Sequence, residues 1–96
     1  MIDRNISDSI LKSNGINDFT AFRIFAYLLE NDWRSIKDMC DDLNMKYSNV
    51  LYKIKIMIFK SMLDTRLREN GWNTGRPINL YKVSENTKLK YTEYLK

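Results

Sequence analysis

The chain has 96 residues, the length of one small domain, which buries about two thirds of the surface its unfolded form exposes. Apolar residues make up 44% and charged ones 29%, a globular balance without repeats, low-complexity tracts or the long apolar run that a membrane span requires. With one cysteine and no histidine, disulfide frameworks, thiolate or imidazole zinc sites and histidine-assisted nucleophiles are excluded, so no catalytic residue, metal site or cofactor is expected and the chain is not read as an enzyme.

Net charge is +4, unevenly distributed: residues 1–45 hold five Lys/Arg against eight Asp/Glu, and residues 46–96 hold eleven against four. A basic half beside an acidic half suggests one face suited to a polyanion. The N-terminal stretch "MIDRNISDSILKSN" has no signal-type apolar core, which points to the cytoplasm.

One domain, 1–96, is expected in four parts: an N-terminal extension or short helix over 1–17, a helical core over 18–62, a hairpin over 63–83 and a C-terminal helix over 84–96. The spacing of Ile6, Ile10 and Leu11 predicts a short helix from Ser7 to Lys12, closed by Gly15. Asp18 is a good N-cap for a helix through Glu30. Its Phe22, Ile24, Phe25, Tyr27, Leu28 and Leu29 cover nearly all sides, so this helix is central to a core or shared with a partner. Ser35 and Asp38 form a capping-box pattern for a helix from Ile36 to Leu43, with Ile36, Cys40 and Leu43 as its buried stripe. Asn44 follows where a left-handed residue commonly ends a helix.

The next helix runs from Tyr47 to about Met62. It turns Val50, Ile54, Met57 or Ile58, and Ser61 inward and leaves Tyr47, Ser48, Tyr52 and Lys53 outside. After Leu63 the period becomes alternating: Leu63, Thr65 and Leu67, then Ile78, Leu80 and Lys82, predict two strands of a hairpin. The stretch "NGWNTGRPINLYKVS", Asn70–Ser84, holds two of the three glycines and the only proline. Its tip turns at Gly71 and Gly75, Pro77 holds Arg76 extended, and Tyr81 anchors the returning strand on the core. Ser84 and Glu85 start a last helix with Leu89, Tyr91, Tyr94 and Leu95 as its apolar residues.

This order of elements is that of a mainly α winged helix-turn-helix domain with a small β-hairpin wing. "LNMKYSNVLYKI", Leu43–Ile54, resembles the family's turn and the start of its recognition helix. "GRPINLYKVSENTKLKYTEYL", Gly75–Leu95, resembles the wing and last helix of PadR- and MarR-like regulators. The resemblance covers about residues 18–95. It departs where the turn's usual glycine is Asn44, and where the cap position holds Lys46, whose cation opposes the helix dipole. Either a phosphate compensates there, or Ser48 caps and the helix starts one or two residues later.

The resemblance implies a double-stranded DNA partner. Tyr47, Ser48, Asn49, Tyr52 and Lys53 are the candidates for the major groove. Lys46, Lys55 and Lys60, with Ser35 at a helix N-terminus, are candidates for phosphates. Arg66 and Arg68 face away from Leu67, toward DNA or as solubilising edge charges, and Arg76 is the candidate for a minor groove. Ile56, Phe59 and the apolar N-terminal segment exceed what one small core needs, which points to a homodimer. The expected function is a dimeric, nucleoid-associated repressor. A plasmid- or virus-encoded partition protein of the same fold, or a winged helix that binds an additional protein partner, are the alternatives.

Overall fold

The computed structural model describes residues 3–68 and 78–95. Among them, five helices and a hairpin follow in the order α1 (Arg4–Ser13), α2 (Phe19–Glu30), α3 (Ile36–Leu43), α4 (Tyr47–Phe59), β1 (Leu63–Arg68), β2 (Ile78–Val83) and α5 (Glu85–Tyr94). The expected hairpin tip, with Gly71, Trp72, Gly75, Arg76 and Pro77, lies outside the described residues.

Local capping chemistry sets the helix boundaries. The Asp3 carboxylate accepts the Ile6 amide at 3.0 Å, so α1 begins at Arg4 rather than Ser7. It closes at Gly15, φ 78°, with the Gly15 amide bonded to the Lys12 carbonyl and the Ile16 amide to the Leu11 carbonyl. Those two bonds satisfy carbonyls that the helix end would otherwise leave open. Asp18 caps α2 by accepting from the amides of Thr20 and Ala21. The expected capping box is complete: the Asp38 amide donates to Ser35 Oγ at 3.1 Å and the Ser35 amide to Asp38 Oδ2 at 3.0 Å. Asn44 adopts φ 54° and ψ 54° and ends α3.

The core is formed by Ile10 and Leu11 of α1, Ile24, Phe25 and Leu28 of α2, Ile36 and Met39 of α3, Val50, Ile54 and Met57 of α4, then Met62, Leu63, Tyr81, Val83 and Tyr91. Helix α2 touches α1, α3, α4 and β2, which explains its near-continuous apolar circumference. Three details differ from expectation. In α3 the inner face is Ile36 and Met39, with Cys40 and Leu43 only half-buried; the helix packs on both α2 and α4, and these neighbours together select the centre of its buried side. Helix α4 stops at Phe59, and Ser61 is exposed rather than inward. In α5 Tyr91 alone of the four apolar residues is buried, while Leu89, Tyr94 and Leu95 stand more than half exposed at 55%, 57% and 54%.

The strands pair antiparallel from Leu63↔Val83 to Arg68↔Ile78. Because partners in an antiparallel pair share a face, Leu63, Tyr81 and Val83 look toward the core with the exposed Thr65 on the same face, and Ile78, Leu80 and Lys82 occupy the opposite side with Arg66. A third strand position is supplied by Arg34, which exchanges two backbone hydrogen bonds with Tyr81 at 3.0 and 2.9 Å. Tyr81 is buried on the core as expected, and burial raises its hydroxyl pKa.

Ser61 ends α4 at φ 59°, with its amide on the Ile58 carbonyl and the Met62 amide on the Met57 carbonyl. A left-handed non-glycine residue costs about 1–2 kcal/mol, more than the roughly 0.4–1 kcal/mol that glycine adds in unfolded-state entropy. Ser61→Gly is therefore expected to stabilise the protein by about 0.5–1 kcal/mol. Urea denaturation checks this, and a lower midpoint contradicts it.

Candidate nucleic-acid interface

Helix α4 buries Val50, Ile54 and Met57 completely. At 100° per residue, the opposite side is the stripe Ser48, Tyr52, Lys55 and Phe59. All four are exposed, Tyr52 at 61% and Phe59 at 84%. Tyr47, at 59%, and Asn49 flank the stripe at the helix start. Lys46 occupies the N-cap position with extended backbone and offers no side-chain hydrogen bond to the first turn. The helix thus begins at Tyr47, Ser48 is inside its first turn, and the first amides have no side-chain cap. The exposed end of α4 combines open N–H groups, a cation and four polar or aromatic side chains.

Lys53 is different from its neighbours. Its ammonium lies 2.6 Å from Asp18 Oδ2, with the two side chains only 23% and 33% exposed, so it turns back toward the start of α2 instead of outward. The Lys53 hydrogen bond lowers the Asp18 pKa, helped by the amides of Ala21 and Thr20 and opposed by burial. Ser35 is buried at 6% and its hydroxyl oxygen accepts the capping-box bond from the Asp38 amide, so it is committed to the start of α3 instead of standing at the surface. Lys60 is the C-cap of α4, about 20 Å from Lys46 along a helix of that length, and its ammonium sits beside Gly15. It therefore belongs to the opposite end of the molecule.

Polar groups of α2 fix α3 in place. Arg23 donates to the Leu43 carbonyl at 2.6 Å, holding the end of α3 beside the turn into α4. Tyr27 donates to Asp42 at 2.5 Å; burial first, and then that carboxylate, pushes its pKa up to about 12. The N-terminal ends of α3 and α4 and the start of β2 enclose a cleft of about 410 Å³ that includes Lys37, Tyr47, Leu51, Asn79 and Tyr81.

In the hairpin, Arg66 pairs with Leu80 and Arg68 with Ile78, so both arginine positions face away from Leu67, as expected. The Arg66 guanidinium stacks 4.4 Å from the centre of the Trp33 ring, and Lys82 lies 5.1 Å from the same ring. The side chain of Arg68, like the whole of Arg76, lies outside the described residues. Trp33 had no local signature, since its contacts come from strands more than thirty residues further along the chain. The Asp18–Lys53 pair was equally invisible to a search for local motifs.

No family profile and no curated protein matches the sequence. Solved structures do. A transcriptional regulator homologue from Pyrococcus horikoshii superposes with a TM-score of 0.70 at 14% identity, over 95% of this chain and 87% of that one. A possible transcriptional regulator from Methanosarcina mazei gives 0.69 at 15% identity, over 91% and 77%. A MarR family regulator from Neisseria meningitidis gives 0.60 at 14% identity, with 95% of this chain covering 61% of that one. At such identities the likeness establishes the fold, and that fold is the winged helix of these regulators, mainly helical with a two-stranded hairpin.

The Asp18–Lys53 pair yields a pH-dependent signature. Because the folded pKa of Asp18 lies below its ordinary 3.8, the ionised pair adds stability that is fully present above the unfolded value and is lost as pH falls through the folded one. Asp18→Asn keeps a cap-forming residue and is expected to cost about 0.5–1 kcal/mol at neutral pH. The difference from wild type, followed by urea denaturation, should stay level from about pH 5 upward and shrink below about pH 4. A difference that grows on acidification contradicts the assignment.

Proposed function

We propose that the protein is a double-stranded-DNA-binding transcriptional regulator without enzymatic activity, acting as a homodimeric repressor in the cytoplasm on the nucleoid. The observation that carries this reading is the start of α4: a helix N-terminus without a side-chain cap, next to exposed Lys46, Tyr47, Ser48, Asn49 and Tyr52, on a winged-helix scaffold. An uncapped, cation-flanked helix end suits a phosphate, which completes the open N–H groups and offsets the cost of Lys46. The adjoining polar and aromatic side chains then meet base edges in the major groove. Asn49 suits an adenine edge, and Tyr52 a thymine methyl or a phosphate.

Lys55 is assigned to the phosphate backbone with Lys46, and Arg68 and Arg76 to the hairpin's contacts, Arg76 in the minor groove. Lys53 and Arg66 contribute indirectly, through Asp18 and Trp33. For the homodimer, support comes from the outer side of α5 and α1, where exposed Tyr94 borders an open groove with Asn5, Ile6 and Ser9. A two-fold pairing there would set two copies of α4 on half-sites about 34 Å apart.

Duplex binding across a salt series tests the reading. Phosphate contacts require log K to fall linearly with log salt, by about 0.9 per phosphate. Arg76→Ala should weaken binding about tenfold, mostly on A/T-rich sites with a narrow minor groove, while Tyr52→Ala should change base preference in the half-site. No binding at low salt would sink the proposal. Footprints that spread over repeated sites, in place of one short palindrome, would assign the same fold to a partition role.

A further inference from the structure

The hairpin's attachment to the helices is narrow. On its inner face Leu63, Val83 and Tyr81 are buried, but one pair beyond Tyr81 that support ends, and Leu67 and Asn79 are exposed. On the free edge of β2, the backbone contact among the described residues is the pair Arg34↔Tyr81. With one such pair, the orientation of the described distal positions of this two-stranded ribbon depends on side-chain contacts.

The outer face has a second anchor, made of Trp33. Because Arg34 pairs with Tyr81, its neighbour Trp33 lies on the side of the sheet that carries Leu80 and Lys82. Arg66 reaches the same ring from β1, at 4.4 Å, so it must cross over Leu80, its strand partner. Leu80 is accordingly 4% exposed although it takes no part in the main core. Lys82 approaches the ring from β2 at 5.1 Å and lies 3.7 Å from Glu85 at the start of α5. Trp33 itself is braced from behind: the Arg34 guanidinium donates to the Trp33 carbonyl at 3.0 Å and to Asn31 Oδ1 at 3.2 Å. Ser35, the next residue, begins the capping box of α3.

We propose that Trp33 is a positioning residue: its ring, gripped by Arg66 and Lys82, forms the outer half of a clamp whose inner half is Tyr81, and this clamp sets the angle between the hairpin and α3–α4. Where the DNA-binding reading holds, on which only this second part rests, the clamp decides whether hairpin and α4 engage one duplex together. The cations need the ring's negative face, which phenylalanine supplies in weaker form and alanine does not.

Residual dipolar couplings on the full chain test the clamp without DNA. In wild type and Trp33→Phe, amides of the hairpin and of α2–α4 should fit one alignment tensor. In Trp33→Ala the two sets should need different tensors while each still fits by itself. A single tensor for Trp33→Ala overturns the proposal. If Trp33→Ala does not fold, the double variant Arg66→Gln, Lys82→Gln keeps the ring and removes its grip; separate tensors are expected again, and a common tensor overturns the clamp. On duplex DNA, Trp33→Ala should bind about tenfold more weakly with a shallower salt slope, and Trp33→Phe should restore the slope. Slope counts phosphates engaged, which a mere loss of folded protein leaves unchanged. Absence of wild-type DNA binding would dismiss the regulator reading while the couplings still decide the clamp.

Discussion

Everything in the molecule is arranged around the need to enclose α2. Phe25 and Ile24 have no exposed surface, and apolar side chains surround the helix on almost every side, so it must be covered by α1, α3, α4 and β2 together. Its few polar groups then become tethers. Asp18 joins the helix start to α4 through Lys53, Arg23 holds the end of α3, and Tyr27 reaches Asp42. With α3 and α4 held this way, Val50, Ile54 and Met57 face inward and the Ser48–Tyr52–Lys55 side of α4 faces out. The exposed outer side of α4 is thus a by-product of how α2 is buried.

Charge contributes to this arrangement selectively. Of the ion pairs among the described residues, Lys12–Asp8, Lys37–Asp41 and Lys82–Glu85 are local, three or four positions apart, and the last is a long 3.7 Å. Exposed pairs of that kind contribute about 0–1 kcal/mol each. Lys53–Asp18 is the pair that joins distant elements. Folding therefore depends little on the excess of cations in residues 46–96, and Lys46 and Lys55 stay at the surface.

Much of the architecture was legible because its determinants are local. Asp18, the Ser35–Asp38 box and the left-handed Asn44 each act within a few residues, and their residue types carry the geometry in themselves. The alternation of Leu63–Leu67 and Ile78–Lys82 likewise told which side chains share a face. It could not tell which face is inside, because Tyr81 faces the core while Leu80 is buried on the other side beneath Arg66. Met39 replaced Cys40 on the inner side of α3 for a related reason: a periodic stripe is about 100° wide, and the neighbouring helices together select its centre. For the site, exposure of Tyr47, Ser48, Asn49 and Tyr52 followed from helical phase. The diversion of Lys53 to Asp18 and of Arg66 to Trp33 did not, since both depend on partners brought near only by the finished fold.

The Asp3 amide donates to the Tyr91 hydroxyl at 2.7 Å, across 88 positions of sequence, and α1 packs against α5. Contacts of such separation close large loops and form late. During synthesis, at roughly 5–20 residues per second, α2, α3 and α4 can assemble their mutual core while α1 still lacks the helix that covers it. Helix α1 can dock on α2 early, but its α5 side would be among the last surfaces covered, waiting several seconds for Tyr91 to emerge and open to other chains in that interval.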